Sequence, residues 1–258
     1  MDAYTDGIVL KQTKILNGRR MVTLFTRDYG KIGAGTNIAG TGRGKSPLAV
    51  RPFTFGHYGL KKGRSAWHIN GAEVSRSFYR IAEDADKFIN CSYVLEFTEK
   101  LLPEELPAPE LFALTLEYFD MMEHRRKKFD SITVVFLFKA IDIWGAAPEL
   151  EKCALCGSIP VERVYFGVRD GGIVCGACRD ALRDAENLHD SRGDRLLYPL
   201  DFGILNVMCY FLERPLRDFE HLALDEPVLL ALKRIVKEHA AWHLGIGGLN
   251  SEEFLAAF

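Results

Sequence analysis

The stretch Met21-Val22-Thr23-Leu24-Phe25-Thr26-Arg27-Asp28-Tyr29-Gly30-Lys31-Ile32-Gly33-Ala34-Gly35 decides how the beginning of the chain is read. Apolar or β-branched residues fill both flanks, and Asp28-Tyr29-Gly30 supplies the turn between them, which predicts two short strands. The same pattern continues outward. Further runs cover Gly7 to Leu10, Pro52 to Leu60 and Ala66 to Ile69, separated by Asn17-Gly18, Gly40 to Ser46 and Lys61-Lys62-Gly63. Five short strands in about 70 residues suit a small closed barrel, which removes exposed sheet edges; an OB-fold is predicted, and an SH3-like barrel fits the strand count nearly as well.

Beyond this module the chain extends to 258 residues, with 48% hydrophobic and 26% charged residues, a composition that excludes disorder and collagen-like repeats. No apolar run reaches the roughly 18 residues of a membrane span, and Met1 to Asp6 is too polar for a signal peptide, so a cytoplasmic protein is expected. The net charge of -2 hides an asymmetry. Residues 1 to 75 hold 12 Lys or Arg against 4 Asp or Glu, a net +8, while residues 76 to 258 hold 21 against 31, a net -10. A basic module on an acidic body suggests a polyanionic ligand for the module; a merely solvated basic surface is the alternative.

Cations and aromatics interleave along the module: Arg27 with Tyr29, Arg51 with Phe53 and Phe55, Tyr58 with Lys61 and Lys62, Arg64 with Trp67. Single-stranded nucleic acid is held by that combination, cations on phosphates and aromatic faces on bases. Strand aromatics such as Phe25, Phe53 and Phe55 are equally suited to the barrel core, which is the favoured reading for each. The segment Ala39-Gly40-Thr41-Gly42-Arg43-Gly44-Lys45-Ser46 approaches a P-loop, with Ala39 where the first glycine belongs. A P-loop must open a helix, whereas Pro47 to Gly56 reads as extended chain, so a glycine loop carrying Arg43 and Lys45 toward a phosphate backbone is preferred. A small nucleotide hydrolase using Lys45 is the alternative.

From Ser77 the period changes to about 3.6. One helix is predicted from Phe78 to Leu102, ended by Pro103, a second from Pro109 to about Arg126, and a third from an Asp130 or Ser131 cap to Gly145. Two more follow, one with Pro199 in its first turn and ending at Arg214-Pro215, the other capped by Asp225 and stopped by Gly245. The run Arg125-Arg126-Lys127-Lys128 suits a helix C-terminus and could also extend a basic track.

Six cysteines are present. Cys153, Cys156, Cys175 and Cys178 form C-x2-C-x18-C-x2-C, the spacing of a four-cysteine zinc site. Val164 to Val174 reads as a hairpin about Asp170-Gly171-Gly172 that would bring the two pairs together, a zinc-ribbon layout. Without a secretory signal, disulfides are disfavoured. Four thiolates leave no open coordination position, so one structural Zn2+ per chain is expected, with Lys152, Arg163 and Arg179 offsetting its excess negative charge. Cys91 and Cys209 fall on helix faces as buried apolar residues.

Taken in order, Gly7-Ile8-Val9-Leu10, then Val22 to Lys31, then the glycine loop ending Lys45-Ser46 with Arg51-Pro52-Phe53, and the helical body interrupted by two Cys-x-x-Cys pairs, resemble the RecO family of bacterial DNA repair and recombination mediators. The resemblance spans essentially the whole chain. It implies an α+β multidomain protein: an N-terminal OB-fold β-barrel as DNA-binding domain at 1-76, an all-α helical body at 77-150 and 184-258, and an inserted four-cysteine zinc-ribbon lobe at 151-183. It implies no enzymatic turnover, binding and annealing of single- and double-stranded DNA, action with RecR to load RecA onto strands coated by single-stranded-DNA-binding protein (SSB), docking of the SSB C-terminal tail, and a cytoplasmic, nucleoid-associated location. By position Arg27, Lys31, Arg43, Lys45 and Arg51 would contact phosphates, and charge and spacing add Lys61, Lys62 and Arg64. The chain differs from the family pattern at Asn17-Gly18-Arg19-Arg20, where an acidic residue is usual, in a less basic glycine loop, and in an acidic segment, Leu249 to Leu255, where the tail is often basic. A zinc-ribbon interaction scaffold whose barrel meets an acidic protein is a further alternative.

Overall fold

Thr26 shapes the turn that the opening stretch predicts. Its buried hydroxyl donates to the Gly30 carbonyl at 2.8 Å and accepts from the Tyr29 amide at 3.1 Å, so the chain reverses into a paired hairpin. A computed structural model describes residues 2–14, 20–36, 47–64, 66–188 and 197–252. They divide between two compact units, one within Met1–Phe129 and Leu249–Phe258, the other within Asp130–Gly248.

In the first unit β1 (Asp2–Lys14), β2 (Arg20–Thr26), β3 (Gly30–Thr36), β4 (Thr54–Lys62) and β5 (Trp67–Ser77) close into a barrel in the order β1-β2-β3-β5-β4. Neighbours are antiparallel except β3 and β5, which meet in parallel at Ala34 with Trp67 and Gly35 with His68. A closed five-stranded barrel of this order is OB-like, which resolves the choice between barrels. Val9, Val22, Leu24, Ile32, Ala34, Leu60 and Ile69 fill it, each buried Val, Leu or Ile side chain contributing about 1.5–3 kcal/mol. A single 3-10 turn, Pro47–Val50, adds Val50 to this core, and its Ala49 carbonyl accepts from the buried Tyr58 hydroxyl at 2.7 Å. The turn replaces the extended chain expected there.

Phe25, Phe53 and Phe55 are packing residues, and each has a ring partner on a helix of this unit. Phe25 and Phe55 meet Phe112 at 5.2 and 6.3 Å, and Phe53 meets Phe88 and Phe119 at 5.7 and 5.8 Å. Those helices are α1 (Ala85–Leu101) and α2 (Pro109–His124). The helix expected from Phe78 begins only at Ala85, because Asp84 turns to cap it, its carboxylate accepting from the Lys87 amide at 3.1 Å; Tyr79–Glu83 is a 3-10 turn. From the far end of the chain, Asn250 and Ser251 give the Glu96 carboxylate of α1 four hydrogen bonds at 2.6–2.9 Å. Partial burial opposes that charge, yet these donors hold the carboxyl below its ordinary range.

The second unit carries α3 (Phe129–Ile143, from Asp130 onward), α4 (Gly176–Leu188), α5 (Phe202–Glu213) and α6 (Glu226–Leu244), with a three-stranded sheet of β6 (Val164–Gly167), β7 (Gly172–Cys175) and β8 (Leu197–Leu200) in the order β7-β6-β8. Ser131 does not cap α3; its buried hydroxyl accepts from the Leu224 amide at 3.1 Å. Pro199 does not open a helix either. It lies in edge strand β8, opposite Tyr165 of β6, a place in a sheet where proline is tolerated, and Asp201 caps α5 instead. Helix α4 and strand β8 are additions to the sequence reading.

Candidate metal centre and nucleic-acid interface

The backbone closes the turn that holds the first cysteine pair. The Cys153 amide donates to the Ser158 carbonyl and the Gly157 amide to the Cys153 carbonyl, both at 2.8 Å, with Gly157 at φ 72° in the left-handed region that glycine tolerates. The second pair rides on regular structure: Cys175 ends β7 and Cys178 lies in the first turn of α4. The predicted hairpin forms in the register Val164 with Cys175 and Gly167 with Gly172, and the Ala154 amide donates to the Ile173 carbonyl at 2.8 Å, tying the first turn to β7.

All four Sγ atoms lie within 4.8 Å of one another, and those of Cys156 and Cys175 are 3.8 Å apart. Tetrahedral coordination at metal–sulfur distances of about 2.3 Å separates the sulfurs by about 3.8 Å, so the donor set fits one thiophilic ion. The Cys175 amide donates to the Cys153 sulfur at 3.3 Å, and the Ser158 hydroxyl lies 3.0 Å from that of Cys156. Hydrogen bonds from Ser158, then from Cys178 and Cys153, pull the Cys156 thiol down to about 6, while the neighbouring Cys156 sulfur and burial push Cys178 up. Four thiolates this close repel one another, and a cation among them would relieve that repulsion. Arg163 and Arg179 both pair with Asp180, at 2.9 and 3.0 Å, and Arg179 also lies over the Tyr165 ring. Cys91 is fully buried in α1, and Cys209 is half-buried in α5.

The predicted phosphate contacts fall into three groups. Arg51, Lys61 and Arg64 are exposed. Arg27, Lys31 and Lys62 already have protein partners. Arg27 pairs with Asp6 at 3.0 Å and lies over the Phe112 ring. Lys31, with its side chain only 14% exposed, donates to the Glu99 carbonyl at 2.9 Å and pairs with Glu104 at 3.3 Å. Lys62 pairs with Glu105 at 2.6 Å and lies over the Trp67 ring. Arg43 and Lys45 lie outside the described residues. Trp67 is buried in the barrel and touches the half-buried Tyr29 at 5.2 Å, so the interleaved aromatics largely pack inward. The partners Glu104 and Glu105 went unread in the sequence, where they are only two acidic residues after Pro103.

Comparison with known proteins agrees with this architecture. Residues 1–78 match the family described as Recombination protein O N terminal, and residues 82–253 match Recombination protein O C terminal. The chain belongs to the RecO family. Among its relatives, the DNA repair protein RecO of Caldanaerobacter subterraneus subsp. tengcongensis is 28% identical over 240 residues, covering 93% of this chain and 92% of that protein. The RecO of Alkaliphilus metalliredigens is 28% identical over 254 residues, with 96% of each covered, and that of Bacillus velezensis 30% identical over 202 residues, with 78% of each. The RecO family is one of DNA repair and recombination, not of enzymes. The nucleotide-hydrolase alternative fails on local structure as well, since the four-residue 3-10 turn after Ser46 leads into β4 and offers no helix N-terminus for phosphates. Among the described residues, no helix is long and apolar enough to cross a membrane.

Proposed function

We propose that this RecO-family chain binds single- and double-stranded DNA through its barrel and anneals complementary strands in recombinational repair. In this reading it acts with RecR to load RecA onto SSB-coated single strands and docks the SSB C-terminal tail. It works in the cytoplasm at the nucleoid. Residues 1-76 act as the DNA-binding domain, 77-150 with 184-258 as the helical domain, and 151-183 as the metal lobe. The observation that carries the reading is a net +8 over residues 1 to 75, the segment that forms the OB-like barrel, in a chain that matches the RecO family over residues 1–78 and 82–253. Cations on phosphates lower the repulsion between two strands, and contacts confined to the backbone leave base edges free to pair.

The four-cysteine site would hold Zn2+ in a purely structural role, each sulfur a ligand, the ion fixing the first turn and the β6–β7 hairpin together. The exposed apolar residues Leu155, Ile159 and Val161 beside it favour a protein partner for the lobe, a role that accompanies DNA binding.

Salt titration of oligonucleotide binding tests the central claim. Single-strand binding should be insensitive to sequence, and log K should fall against log salt by roughly 0.7 per phosphate contact. Arg51→Ala, Lys61→Ala and Arg64→Ala combined should weaken it without changing the thermal unfolding of the chain. Absence of binding at low salt sinks the proposal. Annealing of SSB-coated complementary strands, with and without RecR, then tests the partner claims.

A further inference from the structure

Pro103 to Ala108, the connection between α1 and α2, lies along β3 as an extra edge. Lys31 and Glu104 form a parallel bridge, and the Glu105 amide donates to the Lys31 carbonyl at 2.8 Å. Gly30 makes this seat possible: at φ 66°, any side chain there would run into the Leu106 carbonyl. Glu105 adopts φ 57°, an uncommon conformation for a residue with a side chain, held here by contacts on both carboxylate oxygens. One oxygen accepts from Trp67 Nε1 at 2.8 Å and the other from Lys62 Nζ at 2.6 Å, and these two donors, Lys62 foremost, hold the carboxyl below its ordinary range. Glu104 stands 3.3 Å from Lys31 Nζ. Two of the cations proposed to meet phosphates are thus occupied by carboxylates of the same chain. The occupied face includes β3, and OB-folds bind oligonucleotides on the face of their second and third strands.

We propose that the Glu104–Glu105 segment is an internal competitor for nucleic-acid phosphate, an acidic cover on Lys31 and Lys62 that a DNA strand displaces as it binds. The proposal rests on the nucleic-acid reading above and adds its regulation. The Lys62 and Glu105 side chains are 53% and 46% exposed, so their ion pair is of the weak, solvent-screened kind that a polyanion can replace. Lys31, mostly buried and also bonded to the Glu99 carbonyl, is the anchored half of the cover; Lys62 is the half that opens.

A double-mutant cycle on the full chain tests this, using Glu105→Gln, Lys62→Ala and the pair, with single-stranded oligonucleotide affinity read by fluorescence anisotropy at low salt. Glutamine keeps an acceptor oxygen for Trp67 and removes the charge, so the fold is retained, and thermal unfolding of each variant checks that it is. Glu105→Gln should tighten binding by up to about fivefold, and that gain should vanish when Lys62 is alanine. The Trp67 indole N–H resonance should shift when wild-type protein is titrated with oligonucleotide and move less in Glu105→Gln. Unchanged or weakened binding by Glu105→Gln, or a gain that persists in full with Lys62→Ala, would overturn the cover, the second outcome reducing it to a general charge effect. If wild-type protein does not bind at all, the nucleic-acid reading itself fails, and the cover with it.

Discussion

The barrel and the cysteine lobe are both small β assemblies, and they are held together by different means. The barrel closes five strands of up to 13 residues around Val9, Val22, Leu24, Ile32 and their neighbours, all removed from water. The lobe has β6 and β7 of four residues each; Cys153, Val174 and Cys175 form one buried cluster, with Tyr165, Cys178 and Leu197 at its edge, and Val164, Phe166, Val168 and Ile173 are buried as well. Phe166 of the hairpin packs against His239 of α6, whereas around the cysteines themselves the buried side chains are few and a bound ion contributes folding free energy directly. The barrel thus carries its own core, while the lobe shares its buried side chains with the helices of its unit and would add metal coordination at the cysteines.

The largest effect should therefore come from the metal. Chelation, or Cys156→Ser, should expose residues 151 to 183 to proteolysis while the barrel keeps its own urea transition, since structural zinc contributes about 10–16 kcal/mol to small domains. Metal analysis of unchelated protein should find close to one zinc per chain, and a value under about 0.5 would break the contrast. Next in size is the barrel core. Leu24→Ala should cost about 2–5 kcal/mol in urea unfolding and leave metal content unchanged.

Acid should separate the two units. His239 of α6 is buried, bonded through Nε2 to the Ala146 carbonyl at 2.8 Å and stacked 4.4 Å from His243, which reaches the Val168 carbonyl at 2.7 Å. Burial, reinforced by His243, lowers its pKa from 6.5 to about 4 despite the Ala146 bond. The unfolded chain thus binds the extra proton first, and stability is complete above about pH 6.5 and declines as pH falls toward 4, by at most about 3 kcal/mol. His239→Gln should flatten that limb in pH-dependent thermal unfolding; an unchanged limb would assign it to other groups. The smallest effect belongs to Gly30→Ala, about 1–3 kcal/mol for side-chain strain at positive φ, with loss of the seat of Leu106. A variant as stable as the parent would show that the 103 to 108 connection is not anchored on β3.

Much of this was legible locally. Alternation and turn residues located all five barrel strands, because each strand's inward face must be apolar at every second position. The Cys-x-x-Cys spacing located the candidate metal ligands, because thiolates with two residues between them share one turn. Where the reading failed, the missing information was non-local. Pro199 looks like a helix opener until β6 supplies the strand beside it, and Ser131 looks like a cap until Leu224 arrives to use its hydroxyl. Helix α4 is strongly one-sided but polar overall, with few apolar residues to mark it after the second cysteine pair.

The sequence by itself determined the strand pattern, the candidate ligand set, the charge asymmetry and the RecO resemblance, since each is written in residues close together or in plain counts. Tertiary structure alone decided which cations have partners within the chain. Lys31 and Lys62 read as phosphate contacts from their charge, and only the return of the 103 to 108 connection along β3 brings Glu104 and Glu105 against them. Charge is a property of a residue, but its availability to a ligand depends on what the folded chain has already placed beside it.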